Sequence, residues 1–227
     1  MTAQSAEEQV TRPVGRPRVD PRQLSNSVSE EILAVAAGLF EVHGYTATST
    51  RAIALEVGLR QASLFHYFAR KQDILAELLD RTLRPALELN ERIGLNDYDA
   101  DMALWLLVEA DVANLCQGPY NLGALQLLPE ARDPQFNWFW RRRRQLFKVY
   151  ETQIGRGITA GLFPQADLTD TPDMVFGLVE SVITARPRVR KQAHTPTLLA
   201  DAALRLCGCT EARIRRVTKT LQDWDEE

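Results

Sequence analysis

The chain has 227 residues, about one and a half times a typical domain, so one domain or two small ones is expected. Apolar residues at 45% and charged residues at 25% are ordinary globular usage and exclude disorder throughout. With 27 Lys and Arg against 30 Asp and Glu, the net charge of −3 excludes a general polyanion binder.

The longest apolar run, Ile32 to Phe40, is nine residues, against roughly 18 for a membrane helix, so no membrane partner is expected. The first residues carry no apolar core and no cleavage signature, so no secretory signal is expected. Three cysteines without paired spacing speak for a reducing, cytoplasmic setting. Charge is unevenly spread. Arg12, Arg16, Arg18 and Arg22 face only Asp20, and Arg51, Arg60, Arg70 and Lys71 face only Glu56, whereas the last residues include Asp223, Asp225, Glu226 and Glu227. Any nucleic-acid contact is therefore expected in the first third.

In chain order the pattern is helical. Val28, Ile32, Val35, Leu39 and Val42 recur at amphipathic spacing, with Ser27 and Glu30 as a capping box at the helix start and Gly44 as its stop. A second helix begins at Thr48-Ser49 and carries Ile53 and Val57 inward before Gly58. The turn Gly58-Leu59-Arg60 leads to a third, Gln61 to Phe68, with Leu64 and Phe68 on one face. From Gln72 a longer helix carries Ile74, Leu75, Leu78, Leu79, Leu83, Ala86 and Leu87, and Pro85 should kink it. Further helices are predicted at about 99–116, 120–129 and 134–160, the last ending at Gly161. Thr171-Pro172 and Thr195-Pro196 each place a hydroxyl before a proline, as at a helix start. No stretch alternates with period two, so the predicted fold class is all-α.

Two short helices joined by a glycine turn and steadied by a first helix have the geometry of a helix-turn-helix, although any three-helix packing unit has the same periodicity. The second of the pair must be short and protruding to enter a major groove about 12 Å wide. Leu64 and Phe68 would anchor it, leaving Gln61, Ala62, Ser63 and Tyr67 outward. Residues 46–75 resemble the DNA-binding segment of the TetR family of bacterial transcriptional regulators. The match stands without a gap at Thr48, Ser49, Arg51, Ile53, Ala54, Gly58, Leu64, Phe68, Lys71 and Leu75, and spans roughly residues 27–80. Three positions depart from the family: Phe65 stands where a phosphate-bonding tyrosine is usual, Tyr67 where histidine is common, and Arg70 where a Ser or Asn cap is usual.

Within this segment Gln61 and Ser63 are candidate base readers, since Gln pairs with adenine and a hydroxyl donates or accepts. Arg51 is a candidate for phosphate or guanine. Thr48, Ser49, Tyr67 and Lys71 are candidate phosphate clamps that set register. Arg60, Ala62 and His66 complete the expected DNA-facing set. Gly15-Arg16-Pro17-Arg18 holds an extended basic step, so Arg16 and Arg18 are candidates for a narrow minor groove; a disordered tail is the alternative.

The resemblance implies three regions. These are a flexible basic arm over 1–24, a helix-turn-helix head over 25–71, and a ligand-binding and dimerisation domain over 72–227. It also implies a double-stranded DNA operator, a homodimer and a small-molecule effector as partners. The apolar stripes Phe176, Val179, Val182, Ile183 and Leu198, Leu199, Ala202, Leu206 are candidates for the dimer interface or for internal core. Trp105, Tyr120, Trp140, Phe147 and Phe176 are candidate pocket walls or filled core. Trp138 to Arg144 reads as a core stripe with a charged outer face, from which one arginine can turn inward.

No catalytic residue, metal or cofactor is expected. His43, His66 and His194 lack metal-ligand spacing, and Cys207-Gly208-Cys209 reads as small buried residues near a helix break. There is no nucleophile elbow, phosphate loop or dinucleotide fingerprint. Glu109 and Asp111, two apart on a helix, face different ways. The expected function is a dimeric, ligand-released repressor of a palindromic operator. The alternative is a small-molecule-binding or scaffold protein with a degenerate helix-turn-helix.

Overall fold

The structure, a computed structural model, describes residues 21–189 and 195–225, with side chains over 27–185 and 195–221. Arg16, Arg18 and residues 1–20 of the expected basic arm lie outside the described residues, and residues 21–24, expected to be flexible, belong to the first helix. All regular elements among the described residues are helical: α1 (Pro21–His43), α2 (Thr50–Val57), α3 (Gln61–Leu64), α4 (Lys71–Arg81), α5 (Arg84–Leu95), α6 (Ala100–Cys116), α7 (Asn137–Thr159), α8 (Thr171–Val189), α9 (Thr195–Leu206) and α10 (Glu211–Asp225). None is long and apolar enough to cross a membrane.

α1 packs on α2 and α4, and one hydrophobic core runs from this head into the body. Ile32, Leu33, Ala36 and Phe40 of α1 are buried with Ile53 and Ala54 of α2, Leu64 of α3 and Ile74 and Leu75 of α4. In the body α6 is central. It buries Leu104, Leu107, Val108 and Val112 and packs against α5, α7, α8, α9 and α10. A helix apolar on every side has no wet face to keep, which is why it takes the middle.

Several boundaries differ from the sequence expectations, each for a local reason. α1 starts at Pro21, where proline's missing N–H costs nothing in a first turn. Ser27 and Glu30 therefore lie inside the helix and form no capping box; Glu30 is free to reach α4. The segment after Gln72 is two helices, not one kinked helix, because Pro85 falls in the first turn of α5. The predicted helix at 120–129 is a series of short 3₁₀ turns over Leu122–Leu127, Pro129–Arg132 and Pro134–Phe136, punctuated by its two prolines. α10 lies beyond the predicted helices; Ile214, Val217 and Leu221, buried at spacings of three and four, form its inner stripe.

Candidate nucleic-acid interface

The head is built by caps and anchors. Ser49 caps α2, its Oγ accepting from the Ala52 N–H at 3.0 Å, a contact worth about 1 kcal/mol. Gly58 ends α2 at φ 78°, a left-handed conformation that suits glycine, while its N–H and that of Leu59 bond Leu55 O at 3.0 Å and Ala54 O at 2.7 Å. This double bond fixes the angle at which the chain enters α3. Regular helix ends at Leu64, earlier than the expected Phe68. The next residues continue as a turn in which Tyr67 N–H reaches Leu64 O at 2.9 Å.

Leu64 is fully buried and Phe68 packs partly against the core, so α3 is anchored through the expected side. Gln61, Ala62 and His66 are exposed, with Ser63 and Tyr67 half-buried beside them. The Gln61 Nε2 donates to Thr50 Oγ1 at 2.9 Å, which stiffens the side chain against α2. Its carboxamide oxygen meets no protein donor among the described residues. Arg51 and Arg60 are exposed and form no ion pair among the described residues, so both guanidiniums are available to phosphate. Phe65, next to Leu64 in the chain, is 44% exposed.

Two expected phosphate clamps are turned inward. Thr48 is buried and its hydroxyl donates to Gly44 O at 2.8 Å, closing the end of α1. Lys71 sends its ammonium to Tyr45 O and Thr48 O, both at 2.7 Å, and stands 4.1 Å from the centre of the Tyr45 ring. Burial holds its pKa below the usual lysine range, against the opposing field of Glu130. The Tyr45 carbonyl also accepts the Thr48 N–H at 3.2 Å, and a long flexible ammonium at the start of α4 adds a second donor there and one at Thr48 O. Both residues shape the loop that carries α2. Arg70 makes no side-chain cap; its guanidinium pairs with Asp73 at 2.9 Å.

The head is clasped to the body. Arg81 of α4 forms a bidentate pair with Glu30 of α1, both contacts at 2.6 Å, and also bonds Glu77 at 3.1 Å. Arg84 pairs with Asp80 at 2.5 Å and Glu77 at 3.0 Å. Thr46 donates to Glu130 of the second 3₁₀ turn. Two of the four successive arginines face inward: Arg142 meets Asp80, and Arg143 meets Glu180 with Nε at 3.0 Å.

The five aromatic pocket candidates do not surround one cavity. Trp105 donates its indole N–H to Asp201 at 2.9 Å between α6 and α9, and Trp140 donates to Ala131 O at 2.7 Å under the Arg132 guanidinium. Phe147 and Tyr150 each stack edge-on against Phe176 at 5.5 Å. The space there is nearly filled, leaving about 20 Å³, room for about one water. Of the five, Tyr120 alone lines a cavity of about 540 Å³ that lies between α1, the α4–α5 junction and the loop after α6. Trp105 and Phe176 are buried in the core, whereas Tyr120, Trp140 and Phe147 pack half-buried against it.

The dimer candidates also divide. Phe176, Val179, Val182 and Ile183 are buried within the protomer, so this stripe is internal core. The opposite side of α8 exposes Met174, and α9 exposes Leu198 and Leu206, with Leu178, Leu199 and Ala202 half-buried between them. Sequence reasoning missed the buried polar groups. Asp111 accepts the Tyr150 phenol at 2.9 Å, and Asp101 accepts Arg213 of α10 at 2.6 Å. Only an acidic residue amid an otherwise apolar helix could have signalled them. Cys207 and Cys209 are buried free thiols, and burial pushes the Cys207 thiol up to about 12.

Residues 32–78 match the sequence profile of bacterial regulatory proteins of the tetR family. The chain is 40% identical to AmtR of Mycobacterium smegmatis over 86% of this chain and 94% of that one, with a TM-score of 0.76. The chain belongs to the TetR family. It is 28% identical over 170 residues to the HTH-type transcriptional repressor KstR2 of Mycobacterium tuberculosis, which covers 68% of this chain and 76% of that protein. It is also 25% identical to the TetR family transcriptional regulator PfmR from Thermus thermophilus, over 77% of this chain and 97% of that one, with a TM-score of 0.65. The chain is a TetR-family transcriptional regulator, and the matched residues 32–78 run from α1 into α4.

Proposed function

We propose that the protein is a dimeric repressor that reads a palindromic operator through α3 and leaves it when a small effector binds the body. Residues 25–71 serve as the head and 72–227 as the effector and dimerisation domain. The observation that carries this reading is the shape of α3: one buried anchor, Leu64, and an exposed row of Gln61, Ala62 and His66 together with the exposed Arg51 and Arg60. Gln61 and Ser63 contact base edges; Ser49, Arg51, Arg60 and Tyr67 contact phosphates; Arg16 and Arg18 reach the minor groove. Thr48 and Lys71 act from behind by holding the loop.

Repression is supported by the 28% identity to a protein named as a transcriptional repressor. Dimerisation is supported by the large apolar side chains Met174 of α8 and Leu198 and Leu206 of α9, which are left exposed on the body. Two copies of α3 roughly 34–36 Å apart would read successive major grooves on one face of the duplex. An effector shifts the population toward wrongly spaced heads, by no more than its differential affinity for the two states. The test is a mobility shift against selected DNA over a range of salt. A steep loss of affinity with salt, through counterion release, is expected. Binding that is indifferent to salt, or absent, would favour a degenerate head.

A further inference from the structure

The 540 Å³ cavity at the head–body junction is of a size that holds a small molecule. Its walls come from both halves of the protein: Leu33, Ala34 and Ala37 of α1, Leu78 of α4, and Pro85 and Tyr120 of the body. The ring of Tyr120 lies directly on the α1 backbone, where a Cβ at Gly38 would stand 2.6 Å from it. Any residue but glycine at that position would push the ring away. The polar edge is the Glu30–Arg81 pair with Arg84 and Asn114.

That edge is replaceable on one side only. Glu30 has 60% of its side chain exposed, so its carboxylate can return to water at little cost, whereas Arg81 is 30% exposed and held by Glu77 as well. Asn114 donates to Arg81 O at 3.0 Å, fixing the backbone beneath the guanidinium. Arg84 uses Nε and Nη2 on Asp80 and Glu77, while its Nη1 has no bond among the described residues. An incoming carboxylate would thus find a preformed guanidinium fork, a second donor beside it and an apolar chamber behind.

We propose that this junction cavity is the effector site, and that it takes an amphipathic carboxylate whose head group replaces Glu30 on Arg81 while its apolar body lies against α1 and Tyr120. The proposal rests on the reading of the protein as an effector-released regulator. Displacing Glu30 removes the ion pair that ties α1 to α4, so the ligand acts on the head at first hand. It favours the conformation in which the two elements part.

Calorimetric titration of the full chain with octanoate, decanoate and dodecanoate, without DNA, tests the site. Saturable binding of at least one acid is expected, with the matching alcohol at least tenfold weaker. Ala37→Phe fills the chamber and should weaken binding tenfold or more; Ala34→Trp, on the more exposed wall, serves if the first variant does not fold. Glu30→Gln should tighten binding several-fold by removing the internal competitor, which a merely structural Glu30 would not do. Failure of all three acids to bind, equal binding by the filled variants, or an alcohol that binds as well as its acid would overturn the proposal. A protein that binds the acid but no DNA would refute the regulator reading and leave the site standing.

Discussion

Asp111 lies midway along α6 with its side chain enclosed, and its contact with the protein is the phenol of Tyr150 at 2.9 Å. Burial pushes its carboxyl from 3.8 up to about 7, opposed by the Tyr150 hydrogen bond and reinforced by the Glu180 charge. A carboxyl whose native pKa exceeds its unfolded value binds its proton more firmly in the native chain. Its contribution is therefore complete below about pH 4 and lost as pH rises through about 7. At pH 5 the native group is protonated and the unfolded one ionised; at pH 8 both are ionised. Between these values this one carboxyl should remove about 2–3 kcal/mol of stability. Asp111→Asn keeps the acceptor for Tyr150 and has no proton to lose. Urea unfolding followed by tryptophan fluorescence, at one protein concentration and at both pH values, isolates the effect. Wild type should lose about 2–3 kcal/mol more than the variant on going from pH 5 to pH 8. Parallel losses in the two proteins would mean that Asp111 is already ionised in the native chain at pH 5.

Lys71→Met removes both loop hydrogen bonds and should lower operator affinity tenfold or more while leaving the salt slope unchanged; a slope reduced by about one would mean that Lys71 touches phosphate after all. Gln61→Ala and Ser63→Ala should each cost about 1–3 kcal/mol and relax preference at single base positions, as read by binding to a panel of singly substituted operators. Leu198→Asp combined with Met174→Asp should yield monomers in sedimentation equilibrium, whereas Val179→Asp, on the buried face, should unfold the chain.

Much of the head was legible because its determinants are local. Ser49 and Gly58 specify the ends of α2 by side-chain chemistry and a φ value, and Leu64 is the large apolar residue of α3. The reach of Lys71 across 26 residues to Tyr45 was not legible, since a cation near DNA-facing residues looks the same whether it points out or in. The body shows the converse difficulty. Val179 and Val182 form a clear stripe, yet periodicity reports only that a face is covered and never by which neighbour. The junction cavity depends on Gly38 and Tyr120, 82 positions apart, meeting across two halves of the chain. Nothing in the local pattern around either residue announces that approach.

In one dimer α3 should enter the major groove twice. Selection of bound fragments from random duplex DNA, with Gln61→Ala run in parallel, decides this. The expected result is an inverted repeat with half-sites about one duplex turn apart, blurred by the substitution at symmetric positions. Recovery of an unrepeated sequence, or of the same motif at equal strength from the variant, would contradict it.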